Sequence, residues 1–285
     1  MNNINSVNRM TLPARLSCPR FTRVGVWPAA CALALLGAAP LAWGEDRIST
    51  DRPDFVESSL VVGKGRFQIE TGFSFERNRD GDIRTRVSTT PTLLRYGVSN
   101  DWELRLETDG LTRLREDGGG AAQRQSGQSD IDLGAKWHMQ DGDEATARPS
   151  VAWLLHATVP SGTGGLKGQG VRPSVRMVAE WELPQDWSVG VMPGLASDTG
   201  EDGKRFVSTI AAITVAKSWT ENFRTYWEIA GQQLASERNG GNVVTYDMGA
   251  AYLIGNDMQI DISGAWRATK QAPEFSWGVG LSIRF

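Results

Sequence analysis

Phe275-Ser276-Trp277-Gly278-Val279-Gly280-Leu281-Ser282-Ile283-Arg284-Phe285, the end of the chain, alternates without a gap between large apolar side chains and small or polar ones. A β-strand turns successive side chains to opposite faces, so this segment has one apolar face and one polar face. The pattern recurs upstream. Phe67, Ile69, Thr71, Phe73 and Phe75 alternate with Gln68, Glu70, Gly72, Ser74 and Glu76, and Trp102, Leu104 and Leu106 alternate with Glu103, Arg105 and Glu107. Ile131 to Met139, Val151 to Val159, Val175 to Trp181, Phe223 to Ile229, Tyr246 to Tyr252 and Met258 to Trp266 repeat it. Residues 84–96 contain Pro91 and change parity between Val87 and Leu94, which predicts a bulge. Residues 207–219 are apolar on both parities, so their faces stay unassigned.

Counting gives about twelve strands, an even number of the kind bacterial outer-membrane barrels use. The fold class expected is all-β: a transmembrane antiparallel up-and-down β-barrel. Connections support this, because such barrels join strands by short periplasmic turns and longer external loops. Residues 98–101, 183–186, 219–222 and 255–257 read as short turns, and residues 110–129, 197–205 and 236–242 as longer loops. Only the acidic turn at residues 140–147 is long for its side. Trp102, Trp137, Trp181, Trp187, Trp219, Phe223, Tyr252 and Phe285 all fall beside the short turns, where they would form one interfacial girdle. A soluble sandwich has no reason to gather aromatics at one end of its strands.

Residues 1–44 read as a signal peptide. Arg9, Arg15, Arg20 and Arg23 precede an apolar run from Pro28 to Leu41, and Ala42-Trp43-Gly44 supplies small residues for cleavage before Glu45. The run is shorter than the ~20 apolar residues a spanning helix needs. Cys31 lies inside it, which argues against a lipoprotein, and Cys18 and Cys31 both leave with it. Removing this leader takes four arginines and no acid, so the formal charge falls from −3 to −7. The chain is 40% hydrophobic, with 32 Gly and 11 Trp. Nothing in this acidic balance suggests a nucleic-acid partner. No later segment reads as a spanning helix. Residues 45–66 form a polar N-terminal segment rich in Asp and Arg, and residues 67–285 form the barrel. A polar segment cannot lie against lipid, so it is expected to fold into or under the lumen as a gate or plug.

The segment Ser49-Thr50-Asp51-Arg52-Pro53-Asp54-Phe55, the run Pro91 to Val98, the strand Asp130 to Trp137, Val159-Pro160-Ser161-Gly162 and the terminal Phe285 are similar to a family of outer-membrane β-barrels. Its members are described as transporters or as meta-pathway of phenol degradation proteins. Many carry Leu-Pro-Thr-Gly where this chain has Val159 to Gly162. The resemblance implies a barrel in the outer membrane and leaves the cargo open, an aromatic compound included.

Among the polar faces, Glu70, Arg84, Arg86, Glu103, Arg105, Glu107, Asp130, Asp132, Lys136, His138, His156, Arg176, Glu180, Arg224, Glu228, Asp261, Arg267 and Arg284 are the expected lumen lining. They can line a narrow pore or fill it with their own ion pairs, and both signs of charge are present. If the hairpin closes near Glu144, His156 stands across from Asp132 and His138 across from Ser150. A serine, a histidine and an acid suggest a lipid hydrolase, but these residues would sit inside, at the periplasmic end. The glycine-rich residues 162–170 lack the Gly-Lys-Ser/Thr of a phosphate loop. Acidic turns at 80–82, 141–144 and 198–202 lack the spacing of a calcium site. No cofactor and no catalytic residue is expected. Three functions remain in order: a passive channel for a small solute, a structural or adhesion barrel with a filled lumen, and an outer-membrane lipid hydrolase. The expected partners are outer-membrane lipid, the solute and the β-barrel assembly machinery, with Phe285 as the assembly signal.

Overall fold

The computed structural model describes residues 47–118, 122–200 and 203–285. The expected signal peptide lies outside the described residues. Alternation becomes strand throughout: β1 (Phe67–Asp80), β2 (Ile83–Thr89), β3 (Thr92–Gly97), β4 (Trp102–Thr108), β5 (Leu111–Asp117), β6 (Gln123–Gln128) and β7 (Ile131–Gln140). There follow β8 (Ser150–Val159), β9 (Arg172–Leu183), β10 (Trp187–Thr199), β11 (Arg205–Ser218), β12 (Phe223–Leu234), β13 (Val243–Ile254), β14 (Met258–Arg267) and β15 (Phe275–Arg284). All pairings are antiparallel, and β15 pairs back onto β1, closing the sheet. β2 with β3, β4 with β5 and β6 with β7 are each one spanning strand broken in two, so the fifteen segments make a twelve-stranded barrel.

The breaks line up side by side. Pro91 cannot donate to the ladder, and around it the backbone N–H of Thr90 donates to the Asp109 carbonyl and that of Ser129 to the Gly110 carbonyl. The bulge and change of parity expected near Pro91 are a correction: β2 and β3 keep one register against β1, and parity reverses instead between β4 and β5 and between β6 and β7, within a kink that three strands share. Residues 110–129, expected as an external loop, are mostly the hairpin β5–β6. It extends the wall beyond the barrel, with β6 at its edge.

Faces follow the alternation. Phe73, Leu104, Leu133, Leu155, Leu195, Ile213, Ile229, Met248, Ile262 and Val279 are exposed on the outside, as a lipid-facing surface requires. In β11, the strand apolar on both parities, Val207 and Ile213 face out while Ile210, Ala212 and Ala216 are buried inside. Aromatics do gather beside the short turns, where Trp102 stacks on Trp137 at 5.7 Å and Phe67 on Phe285 at 6.4 Å. A second set sits toward the other end: Phe73 with Trp277 at 5.7 Å and Trp266 with Phe275 at 5.4 Å. The barrel thus has two girdles, because two polar–apolar boundaries must be crossed.

Candidate functional site: the lumen and the segment inside it

Residues 47–66 run within the barrel, and each backbone group they bury must find a partner there. Glutamates of the wall supply several. The Asp51 N–H donates to Glu70 at 3.0 Å, the Phe55 and Val56 N–H groups to the two Glu228 oxygens at 2.8 Å, the Ser59 N–H to Glu180 at 2.6 Å and the Val62 N–H to Glu103 at 3.0 Å. Those acceptors sit on β1, β12, β9 and β4, so the segment touches opposite sides of the ring.

Charges of the segment meet charges of the wall. Lys136 Nζ donates to both Asp51 oxygens at 2.8 and 2.9 Å, and Arg105 Nη1 reaches Asp51 at 2.5 Å. Arg105 Nη2 binds Glu57 at 2.7 Å, and Arg176 binds the other Glu57 oxygen at 2.8 Å. Arg95 forks onto Glu103 at 2.9 and 3.0 Å, binds Glu70 at 2.9 Å, and spends its remaining donors on the Ser49 and Leu60 carbonyls. Four carboxylates, Asp51, Glu57, Glu70 and Glu103, thus face four cations, Arg95, Arg105, Lys136 and Arg176. Burial alone would raise the Asp51 carboxyl; Arg95, Lys136 and Arg105 around it override this and hold it well below the usual carboxylate range. Farther round, Arg52 pairs with Asp261 at 3.0 Å and Arg224 with Asp54 at 3.0 Å. Gly280 leaves the room Arg52 needs, since a Cβ there would lie 2.3 Å from its Nε.

Between the polar groups of β9 and β12 the facing wall carries an apolar patch. Val56 packs with Ala152, Leu154, Val178, Met192, Ala212 and Ala230, one or two residues from each of β8 to β12, and Phe55 lies against the cluster. At the exit from the lumen the chain crosses β3 so closely that a Cβ on Gly97 would collide with the Gly63 carbonyl oxygen at 1.7 Å.

Most of the expected lining is inside. Glu70, Glu103, Arg105, Lys136, Arg176, Glu180, Arg224, Glu228 and Asp261 hold the segment as described. Glu107, Asp132 and His156 stand on inward positions of β4, β7 and β8. Arg267 faces in from β14 and binds Asn78 and the Ala272 carbonyl. Arg284 binds Asp257 at the rim, and Asp130 secures the loop before β9 through the Gly162 and Gly168 N–H groups and Arg172. Arg84 and Arg86 are a correction. They stand in register with Arg79 and Arg77, on the parity of the outward Phe73, and it is Val87, opposite Glu76, that faces the other way, because β2 belongs to the part of the wall beyond the kink, where no lipid demands an apolar outer face. Arg95 was missed although the outward Leu94 and Tyr96 place Leu93 and Arg95 inside, opposite Glu70 and Gln68.

The histidine register is a second correction. Thr158, not His156, stands across from Asp132, and Ala152, not Ser150, across from His138. The turn centres on the short 3-10 helix Glu144–Thr146, where Asp143 caps the Ala145 N–H, one residue later than expected. A one-residue shift at the turn moves the pairing by two. His156 Nδ1 is 3.4 Å from Asp132 Oδ1, without hydrogen-bond alignment. His138 lies 2.9 Å from the Ser59 carbonyl and 2.9 Å from Asp141, while Ser150 accepts from the Ser59 hydroxyl. Ser150 and His138 therefore have separate partners and do not pair as nucleophile and base. Among the described residues no group of three or more His, Cys, Asp or Glu side chains is placed to hold a metal ion.

Residues 50–285 match the family model described as "Putative MetA-pathway of phenol degradation". The chain belongs to this family. Among solved structures, it resembles the COG4313 outer membrane channel from Pseudomonas putida F1, with a TM-score of 0.62 at 12% identity over 80% of this chain and 98% of that one. It also resembles the KdgM porin in complex with disordered oligogalacturonate, with a TM-score of 0.50 at 8% identity over 76% and 99%. A comparison with curated proteins gives no significant match. The protein is an outer-membrane β-barrel, and these two structural neighbours are a channel and a porin.

Proposed function

We propose that the protein is a passive outer-membrane channel for a small solute, with residues 47–66 as its stopper. One observation carries this. The segment is held inside by side chains of the wall: Asp51, Arg52, Asp54 and Glu57 each pair with an opposite charge there, and wall glutamates take its backbone N–H groups. A wall built to be filled permanently would gain more from apolar packing, since buried ion pairs replaced by apolar residues are often no less stable. Polar contacts keep the segment placed and leave the lumen wettable once it moves. The family's description favours an aromatic solute, and the apolar patch over β8 to β12 is the surface such a solute would follow.

Purified protein in planar bilayers tests the reading. Reproducible conductance steps that grow when residues 49–57 are deleted support it. A silent wild type together with a silent deletion variant would leave a structural barrel instead. We also assign Phe285 to recognition by the assembly machinery: its backbone pairs with Phe67 at 2.7 and 3.2 Å at the seam. Its deletion is expected to reduce the heat-modifiable, folded fraction in membranes, and a normal fraction would count against the assignment.

A further inference from the structure

Beyond the kink, β1, β2, β5 and β6 form a four-stranded sheet projecting from the end opposite the short turns. On its outer face Arg77, Arg86, Arg115 and Arg124 stand directly opposite one another across all four strands. A second row pairs Arg79 with Arg84, and Arg113 stands two residues from Arg115. All seven are exposed. Among the described residues of these strands, that face carries one carboxylate, Asp117, shared between Arg115 at 2.9 Å and Arg86 at 3.9 Å. Arg77 reaches Glu274 at 3.4 Å from a neighbouring loop. Arg84, Arg113 and Arg124 make no ion pair among the described residues.

Like charges directly opposite in a sheet destabilise it, and the other face shows that the sheet does not require them. There the same strands align Glu76, Val87, Leu114 and Gln125. The arginines also surround an open cavity of about 430 Å³ lined by Arg86, Arg113, Arg115 and Arg124, with Phe75 as apolar surface. A guanidinium fork matches phosphate geometry. With strands ~4.8 Å apart, the row spans roughly 14 Å and can engage more than one phosphate at once.

Position selects the ligand. These side chains point away from the lumen, so a solute in transit does not meet them. On the other side of β1 the row continues into Phe275, Trp266 and Tyr246, outward aromatics of the second girdle. We propose that this face binds the phosphate groups of lipopolysaccharide, the anionic glycolipid of the outer leaflet.

The test is equilibrium binding of the purified, heat-modifiable barrel to lipopolysaccharide and to the same lipid after phosphatase treatment. Wild type is expected to bind the intact lipid about tenfold more tightly than the dephosphorylated one. The variant R86Q/R115Q/R124Q should lose that preference. A control removing equal charge from exposed positions elsewhere, R148Q/R238Q/K270Q, should keep it. Equal binding of both lipids by wild type would overturn the proposal even if the triple variant fails to fold. An unchanged preference in a folded triple variant, or its loss in the control, would overturn it too.

Discussion

On the wall made by β1, β3, β4 and β7, the inner segment meets Glu70, Arg95, Glu103, Arg105 and Lys136 at hydrogen-bond distance. On the wall made by β8 to β12 it meets Ala152, Leu154, Val178, Met192, Ala212 and Ala230. The two differ in what they specify. Ion pairs and forked hydrogen bonds are directional, so the first wall fixes which residue sits where. Apolar burial is non-directional, so the patch on the second wall presses the segment into place, and register on its side is left to the few polar groups beside it, Arg176, Glu180, Arg224 and Glu228. They differ as well in how they fail. Removing one partner of a buried charge network strands the rest, whereas trimming an apolar contact leaves only a cavity.

Deleting residues 49–57 breaks the comparison outright. It leaves Arg95, Arg105 and Lys136 facing Glu70 and Glu103, an excess of positive charge on one wall. The open variant is expected to prefer anions, read as a shift in reversal potential under a salt gradient; a cation preference would contradict the matched-charge description. Asp51→Asn removes one carboxylate from the same cluster and is expected to cost about 3–5 kcal/mol of segment docking. It should show as frequent channel openings and a lower temperature of heat-modifiable unfolding. Val56→Ala on the facing wall should cost about 1–2 kcal/mol, with a smaller change in opening frequency. If Val56→Ala opened the channel more often than Asp51→Asn, the roles of the two walls would be reversed. The smallest effect is expected from acid. A carboxyl held below its unfolded value contributes stability that is present above that value and lost only as pH falls through the depressed one. Conductance recorded from pH 7 down to about pH 5 should therefore show no opening attributable to Asp51, which remains ionised throughout.

Strand number, closure and the lipid-facing surface were legible because lipid enforces strict alternation, as in Phe275 to Phe285. That the polar segment, described from Arg47 to Arg66, lies away from lipid was legible by exclusion, since lipid admits no such chain. Parity was not legible across the breaks. Parity reverses between β4 and β5, at Asp109–Gly110, and between β6 and β7, at Ser129–Asp130, but is kept from β2 to β3; Arg84 and Arg86 were turned to the wrong side because Val87 faces in where the wall has left the lipid. The extension formed by β5 and β6 was hidden for another reason: outside the membrane both its faces are polar, so Gln123 to Gln128 carries no periodic signal. The apolar patch was read in β11 as ambiguity, because Ile210 and Ala212 serve the inner segment while Val207 and Ile213 serve lipid.

Closure of the ring by β15 on β1 also sets an order of events. Ion pairs of Asp51 with Lys136 and Arg105 span 85 and 54 residues, whereas the contacts of Phe55 with Glu228 and Arg52 with Asp261 span 173 and 209. Long chain separations are entropically slow to close. The polar wall can therefore gather around the segment while the later strands are still unplaced. The segment then serves as a mandrel on which the remaining wall is wound before the seam is sealed.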